Sequence, residues 1–308
     1  MSVIPFGPVY LNLHRTGKLK QRGELLWDRL ANCDLCPREC RVNRLEGEKG
    51  FCKAGTKLKV ASFTAHFGEE RPLVGAGGSG TIFLSHCNLG CVFCQNWDIS
   101  HLGGGTECSI DELAAMMLHL QDMGCENINV VTPTHYSAHV LLGLDLAASQ
   151  GLRIPLVYNT SGWERPDVLA LLDGVVDIYL ADFKYTDPDM AGRYSADAKS
   201  YPALTKEALL EMDRQVGVAM PKMSGRILGG LMIRHLVMPG KVSASMDAVR
   251  WIATHLPAAT YVNLMLQYRP AYRAHLYPEI NRPVHRDEYS QVVEEARRCG
   301  LINLDVDL

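Results

Sequence analysis

The feature that most constrains this chain is an alternation of two patterns. From residue 80 onward, short apolar runs that read as strands (80–86, 127–132, 154–159, 176–183, 230–238 and 260–266) take turns with segments of helical period (110–123, 135–149, 164–173, 204–214, 244–255 and 286–299). Buried strands separated by amphipathic helices are the signature of βα units around a parallel sheet or barrel. Asp111 and Glu112 near the start of the first helix, and Gly124 after it, supply the expected charge and stop signals. Six strands with five helices between them predict the α/β class and fit a partial (β/α)6 barrel. The division expected is an N-terminal extension over 1–60 and the barrel over 61–308.

Composition narrows the function classes. At 308 residues and 47% hydrophobic content the chain can bury a substantial core. The net charge of -3 comes from 31 basic and 34 acidic residues mixed along the chain, without a basic block to track a phosphate backbone, so no nucleic-acid partner is implied. The start, Met1 to Pro8, has no basic segment followed by an apolar run, and nowhere do about eighteen apolar residues occur together, so no membrane partner is implied. A soluble cytoplasmic protein is expected, in which ten cysteines serve as metal ligands and buried thiols rather than disulfides.

Two groups of these cysteines have ligand spacing. Directly after the strand run 80–86 comes Cys87-Asn88-Leu89-Gly90-Cys91-Val92-Phe93-Cys94. A cubane 4Fe-4S cluster ordinarily has thiolate at every iron, so three thiols leave one iron open to a substrate or cofactor. Zinc ribbons also use close cysteine pairs, but as two knuckles that together close four ligands. No second knuckle follows here: Cys108 and Cys125 stand alone, and Cys125 ends an apolar segment as a buried small hydrophobe does. Spacing favours the open Fe–S site, with zinc or a redox thiol as the alternative. The second group is Cys33-x2-Cys36-Pro37-x2-Cys40 with Cys52, four thiols punctuated by Gly and Pro as in knuckle turns. They suit one structural zinc or, with the same four ligands, an auxiliary Fe–S cluster. By contrast Gly75 to Gly80 precedes a strand instead of following one, which excludes a phosphate-binding loop and predicts a flexible turn.

In parallel α/β folds ligands collect at the carboxyl ends of strands. Those ends are rich in polar residues: Thr132-Pro133-Thr134-His135, Asn159-Thr160-Ser161-Gly162, Asp182-Phe183-Lys184, Arg234-His235 and Gln267-Tyr268-Arg269. Period-two alternation puts Asp182 and Lys184 on one face. That pair serves either a ligand or an internal ion pair, and His135 serves either as a donor to substrate or as a helix cap.

Cys-x3-Cys-x-Phe-Cys, continued as Gln95-Asn96-Trp97-Asp98, resembles the cluster loop of the radical S-adenosylmethionine superfamily, close to its glycyl-radical-enzyme activating branch. The resemblance implies a 4Fe-4S cluster on Cys87, Cys91 and Cys94 whose open iron chelates the amino and carboxylate groups of S-adenosylmethionine. One electron, from a low-potential donor such as flavodoxin or ferredoxin, then yields a 5′-deoxyadenosyl radical. It also implies a partial (β/α)6 core, and it puts Phe93 near the adenine, simple packing being the alternative. Asp182-x-Lys184 is similar to an Asp-x-Lys beside the cofactor. Asn159-Thr160-x-Gly162 is similar to an Asp-Thr-x-Gly element, with Asn in place of Asp, which weighs against a cation there. Thr132 and Thr134 stand where the superfamily often has Gly-Gly-Glu, so their hydroxyls or backbone carbonyls would receive the methionyl amine. Arg234 opens a run similar to Arg-x2-Val-x-Pro-Gly and suits a carboxylate, and Gln267 is a further cofactor contact.

The stretches 263–270 and 277–282, with the N-terminal cysteines, depart from true pyruvate formate-lyase activators. They are similar to a distinct activating enzyme-like group of unassigned substrate, over about residues 30–285. The resemblance implies hydrogen abstraction from a glycine of a partner glycyl-radical enzyme. Direct radical modification of a small molecule or peptide is the alternative, and a non-catalytic Fe–S carrier or metal-binding module is a third possibility.

Overall fold

The computed structural model describes residues 7–223 and 225–307; residues 1–6, on which most of the expectation for the chain's start rests, lie outside them. Among the described residues nine strands form one sheet: β1 (Leu58–His66), β2 (Ser79–Leu84), β3 (Thr106–Cys108), β4 (Ile128–Val131), β5 (Leu156–Thr160), β6 (Ile178–Asp182), β7 (Gly230–Leu236), β8 (Tyr261–Met265) and β9 (Leu304–Val306). Their order is β3-β1-β2-β4-β5-β6-β7-β8-β9. Every pairing from β2 to β9 is parallel, and β1 runs antiparallel to both β2 and β3.

Parallel strands in chain order need crossovers that all step the same way, and right-handed crossovers then lay their helices on one face. Those helices pack side by side, Ile110–Asp122 against Ser137–Ser149, Pro166–Leu172 against Tyr201–Val216, and Ser245–His255 against Arg286–Arg298, and the helix Lys18–Asp28, which precedes the sheet, also packs against Ser137–Ser149. Ser109 and Glu112 close a reciprocal capping box at the start of Ile110–Asp122, which fixes where that helix begins. No helix among the described residues is long and apolar enough to cross a membrane.

The six expected strands and six expected helices are all present, with ends displaced by a few residues. The sheet has three strands more than expected and is open, with β3 and β9 at its edges. β1 escaped the sequence pattern because its second half is exposed and lacks an apolar run, and β9 is only three residues long. The glycine run before β2 is a packed turn: a Cβ on Gly77 would overlap the Gly124 carbonyl oxygen.

Strand parity sorts the residues. Val130, Tyr158, Tyr179, Ala181, Leu231, Ile233, Val262 and Leu264 belong to the main core, the side on which these strands meet the helices. The alternate residues Val157, Ile178, Leu180, Met232 and Tyr261 form a second, smaller core with Leu73, Ala219 and Ile227. One step further along this inner face, toward the carboxyl ends, the side chains become Asn159, Asp182, Arg234 and Asn263. The apolar half of the inner face is thus a floor, and the polar half stands above it. Burying each large apolar side chain contributes about 1.5–3 kcal/mol. Ile233 is fully buried in the main core; Ile233→Ala is expected to lower the unfolding free energy by about 2–4 kcal/mol in denaturant titration.

Candidate active site at the carboxyl ends of the strands

A cavity of about 270 Å³ opens above the inner-face floor. Its walls include Cys87, Cys91, Cys94, Phe93, Thr132, Asn159, Asp182, Lys184, Arg234 and Gln267. Three sequence-local thiols and polar residues from five separate strand ends are therefore brought to one place. Thr134 is not among them: its hydroxyl donates to Glu164 Oε1 at 2.6 Å inside the core. His135 is also fully packed, with Nε2 2.8 Å from the Ser85 carbonyl oxygen, so it fills neither role considered for it and instead ties the end of β2 to the next crossover.

The polar wall is a charge network. Asp182 accepts from Lys184 Nζ at 2.5 Å and from Arg234 Nε at 2.8 Å, while Arg234 Nη2 donates to Asn159 Oδ1 at 2.6 Å. Burial alone would raise the Asp182 carboxyl, but Arg234 and then Lys184 outweigh it and hold it below its ordinary range. Burial likewise opposes the Lys184 charge, and Asp182 overrides it, so the ammonium is held more firmly than usual. Beneath them Glu69 reaches Arg234 Nη1 at 3.9 Å, and Glu70 accepts from Asn263 Nδ2 at 3.1 Å. Burial raises Glu69 to about 7. Neither glutamate had a signal in the sequence, since both lie outside any strand or motif.

The thiol loop is held by residues far away in sequence. The Leu89 N–H donates to Cys87 Sγ at 3.3 Å, Cys91 Sγ lies 3.1 Å from Ser195 Oγ, and Cys94 Sγ lies 3.2 Å from Ser100 Oγ. Its backbone is pinned by Arg38 on the Asn88 and Leu89 carbonyls, His101 on Cys91 and the Arg273 N–H on Val92. Burial pushes Cys91 up to about 12, with Lys184 the largest opposing influence, and burial raises Cys87 against the Leu89 N–H. His86, just before the loop, takes a left-handed backbone (φ 74), and its ring is pushed down to about 4, chiefly by burial. Phe93 packs edge-on against Tyr185 and Tyr268.

Among the described residues no three His, Cys, Asp or Glu side chains already stand as a ligand set for an ion. The donor chemistry nevertheless fits a thiophilic iron cluster at Cys87, Cys91 and Cys94, since all three cysteines line one cavity and thiolate is the ordinary ligand of such clusters, the Met265 thioether on the same walls being an uncharged and weaker donor. Two buried atoms on the same walls, Ser161 Oγ and His86 Nδ1, have no partner among the described residues, which is the condition of groups that await a ligand.

The second thiol group is equally local. Cys33, Cys36, Cys40 and Cys52 wall one pocket of about 10 Å³ together with Arg38, Arg44 and His135. Burial raises the Cys36 thiol strongly, and Cys52, Cys33 and Cys40 add to it, so the four sulfurs are mutual neighbours.

No family model matches the chain. It is 35% identical over 280 residues to the uncharacterized protein MJ0674 of Methanocaldococcus jannaschii, covering 88% of this chain and 75% of that protein. It is 30% identical over 90 residues to the uncharacterized protein MJ0808 of the same organism, covering 25% of this chain and 26% of that one. Among solved structures, the crystal structure of QueE from Escherichia coli superposes with a TM-score of 0.43 at 15% identity, over 82% of this chain and 94% of that one, a likeness too slight to carry an inference.

Glu164 gives the site's surroundings a pH signature. It is fully buried, accepts from Thr134 and Thr160, and leaves Oε2 without a partner among the described residues. Burial raises its carboxyl from 4.5 to about 7. The protonated form suits the folded state, so its stabilisation is complete below about pH 4.5 and is lost as pH rises to about 7. Denaturation across that range should show Glu164→Gln gaining on the wild type by on the order of 3 kcal/mol.

Proposed function

The chain belongs to the family of the uncharacterized protein MJ0674 of Methanocaldococcus jannaschii, and from its own cavity we propose that it is a radical S-adenosylmethionine enzyme built on a partial (β/α)6 barrel. The observation that carries this proposal is the meeting of Cys87, Cys91 and Cys94 with Asn159, Asp182, Lys184 and Arg234 around one cavity. When bound, a 4Fe-4S cluster with S-adenosylmethionine at its open iron supplies a one-electron cleavage of the sulfonium C–S bond.

The protein's own residues then have separate tasks. Cys87, Cys91 and Cys94 hold the cluster as thiolates; Lys184 and the Leu89 N–H favour that ionisation, which burial opposes. Arg234 and Lys184 present cationic donors to the methionyl carboxylate, and Asp182, bridging them, keeps both cations in place. The side chains of Thr132 and Asn159 offer oxygens toward the methionyl amine, Gln267 is a further cofactor contact on the cavity wall, and Phe93 lends an apolar edge suited to adenine. Asn159 in place of Asp follows from the network: its carbonyl oxygen already meets Arg234, which Asp182 and Glu69 also face, so another carboxylate would be surplus charge.

A low-potential donor such as flavodoxin or ferredoxin delivers the electron in the cytoplasm. A glycine backbone of a partner glycyl-radical enzyme is one hydrogen donor, supported by the activating-branch resemblance of the thiol loop. A small molecule or peptide is the other, supported by Asn159 and by the Thr132-Pro133-Thr134 strand end. A plain electron carrier would have no use for the charge network, which favours the enzymatic alternatives. The N-terminal cysteines add a second thiol set, for zinc or an auxiliary cluster.

Anaerobically reconstituted protein with dithionite is expected to convert S-adenosylmethionine to 5′-deoxyadenosine, and Cys91→Ala to abolish the product; an undiminished yield in that variant would remove the site assignment. Loss of charge-assisted hydrogen bonds costs about 1.5–3 kcal/mol, so Asp182→Ala should weaken S-adenosylmethionine binding by about 10- to 100-fold in equilibrium titration of the reconstituted protein. Deuterium carried from labelled candidate substrates into 5′-deoxyadenosine distinguishes the two hydrogen donors.

A further inference from the structure

The Cys33–Cys52 segment carries more order than so small a stretch explains by itself. Glu39, Arg41 and Lys53 adopt left-handed backbone (φ 42, 58 and 62), as tight turns around a ligand demand of residues other than glycine. A Cβ on Gly50 would lie 2.7 Å from both Cβ and Sγ of Cys40, so only glycine lets the two strands of the knuckle approach. Backbone N–H groups point at sulfur: Phe51 donates to Cys40 Sγ at 3.3 Å, Arg38 to Cys36 and Ala54 to Cys52. Arg44, 1% exposed, brings a guanidinium to 3.9 Å from Cys33 Sγ while donating to the Gly55 and His135 carbonyls.

Size separates the metal candidates. The space between the four thiols is about 10 Å³, roughly the room one water-sized sphere occupies. A cubane of four irons and four sulfides needs several times as much, whereas a single tetrahedral ion fits. Four thiolates around a divalent zinc leave two negative charges, and the guanidinium groups of Arg38 and Arg44 flank the same pocket.

Arg38 also ties this pocket to the thiol loop of the active-site cavity. It lies between Cys36 and Cys40, and its guanidinium donates to the carbonyls of Asn88 (2.9 Å), Leu89 (3.1 Å), Ser195 (3.2 Å) and Ala196 (2.6 Å). Phe51, beside Cys52, covers Gly90, where a Cβ would lie 2.9 Å from its ring. We infer that Cys33, Cys36, Cys40 and Cys52 bind one structural zinc ion, and that this ion holds Arg38 against the Cys87–Cys94 loop as a clamp. Binding asks the four sulfurs, already facing one pocket, to converge on its centre. The assignment is independent of the radical chemistry proposed for the cavity.

The test begins with the full chain purified without iron reconstitution. Elemental analysis should find one zinc per chain, and X-ray absorption should find four sulfur ligands at about 2.3 Å. Cys36→Ser should lose the zinc, and Cys91→Ala should keep it. Arg38→Ala should also keep its zinc, while amide hydrogen exchange across residues 87–94 accelerates about tenfold; stripping the wild type with a chelator should give the same acceleration. Iron and sulfide in place of zinc, fewer than four sulfur ligands, or zinc that survives Cys36→Ser would overturn the metal assignment. Unchanged exchange in Arg38→Ala would overturn the clamp. Zinc binding with no cleavage of S-adenosylmethionine would count against the cavity's proposed function alone.

Discussion

Everything in this molecule follows from the period of two in its parallel strands. Each strand of the central sheet gives one set of side chains to the helices and the alternate set to the inner face, and neither can be changed without the other. Val157, Ile178, Leu180 and Met232 use the inner face for a small core, and one step on, Asn159, Asp182 and Arg234 use it for a charge network. A slip of one residue in register would put Tyr158, Ala181 and Ile233 in the cavity and drive Asp182 and Arg234 under the helices. The cost of burying those charges unpaired enforces the register as firmly as the apolar core does.

The sequence was most legible where signals are local. Apolar runs disclosed the six strands that carry the site, and the spacing of Cys87, Cys91 and Cys94 disclosed the loop, because both are properties of consecutive residues. The strand-end residues Thr132, Asn159, Asp182, Lys184, Arg234 and Gln267 were legible through the general rule that ligand-binding groups gather there, and all of them line the cavity. Thr134 shows where that rule stops: three residues past the end of β4 the chain has already turned into the core, and the hydroxyl is taken by Glu164.

Less legible were the partners supplied by tertiary contact. Ser195, which touches Cys91, lies in a turn after a short helix, and Arg38, which holds the loop carbonyls, looks in sequence like one more charged residue between two cysteines. Glu69 and Glu70 sit beside no motif, yet they complete the environment of Arg234 and Asn263. Strand β1 was hidden because its second half, beyond the short pairing with β3, is largely open to solvent and needs no apolar run.

The electrostatic balance of the cavity ties these observations together. Asp182 bridges Lys184 and Arg234 and holds both as fixed cationic donors, an arrangement that suits the carboxylate of a zwitterionic amino-acid ligand. The most direct test is electron paramagnetic resonance with hyperfine detection on the reduced, reconstituted protein, using S-adenosylmethionine labelled with 17O in the carboxylate and 15N in the amine. The cluster signal is expected to change on addition of the cofactor and to carry hyperfine couplings to both labels. A cluster signal that does not respond to S-adenosylmethionine would contradict the cofactor assignment.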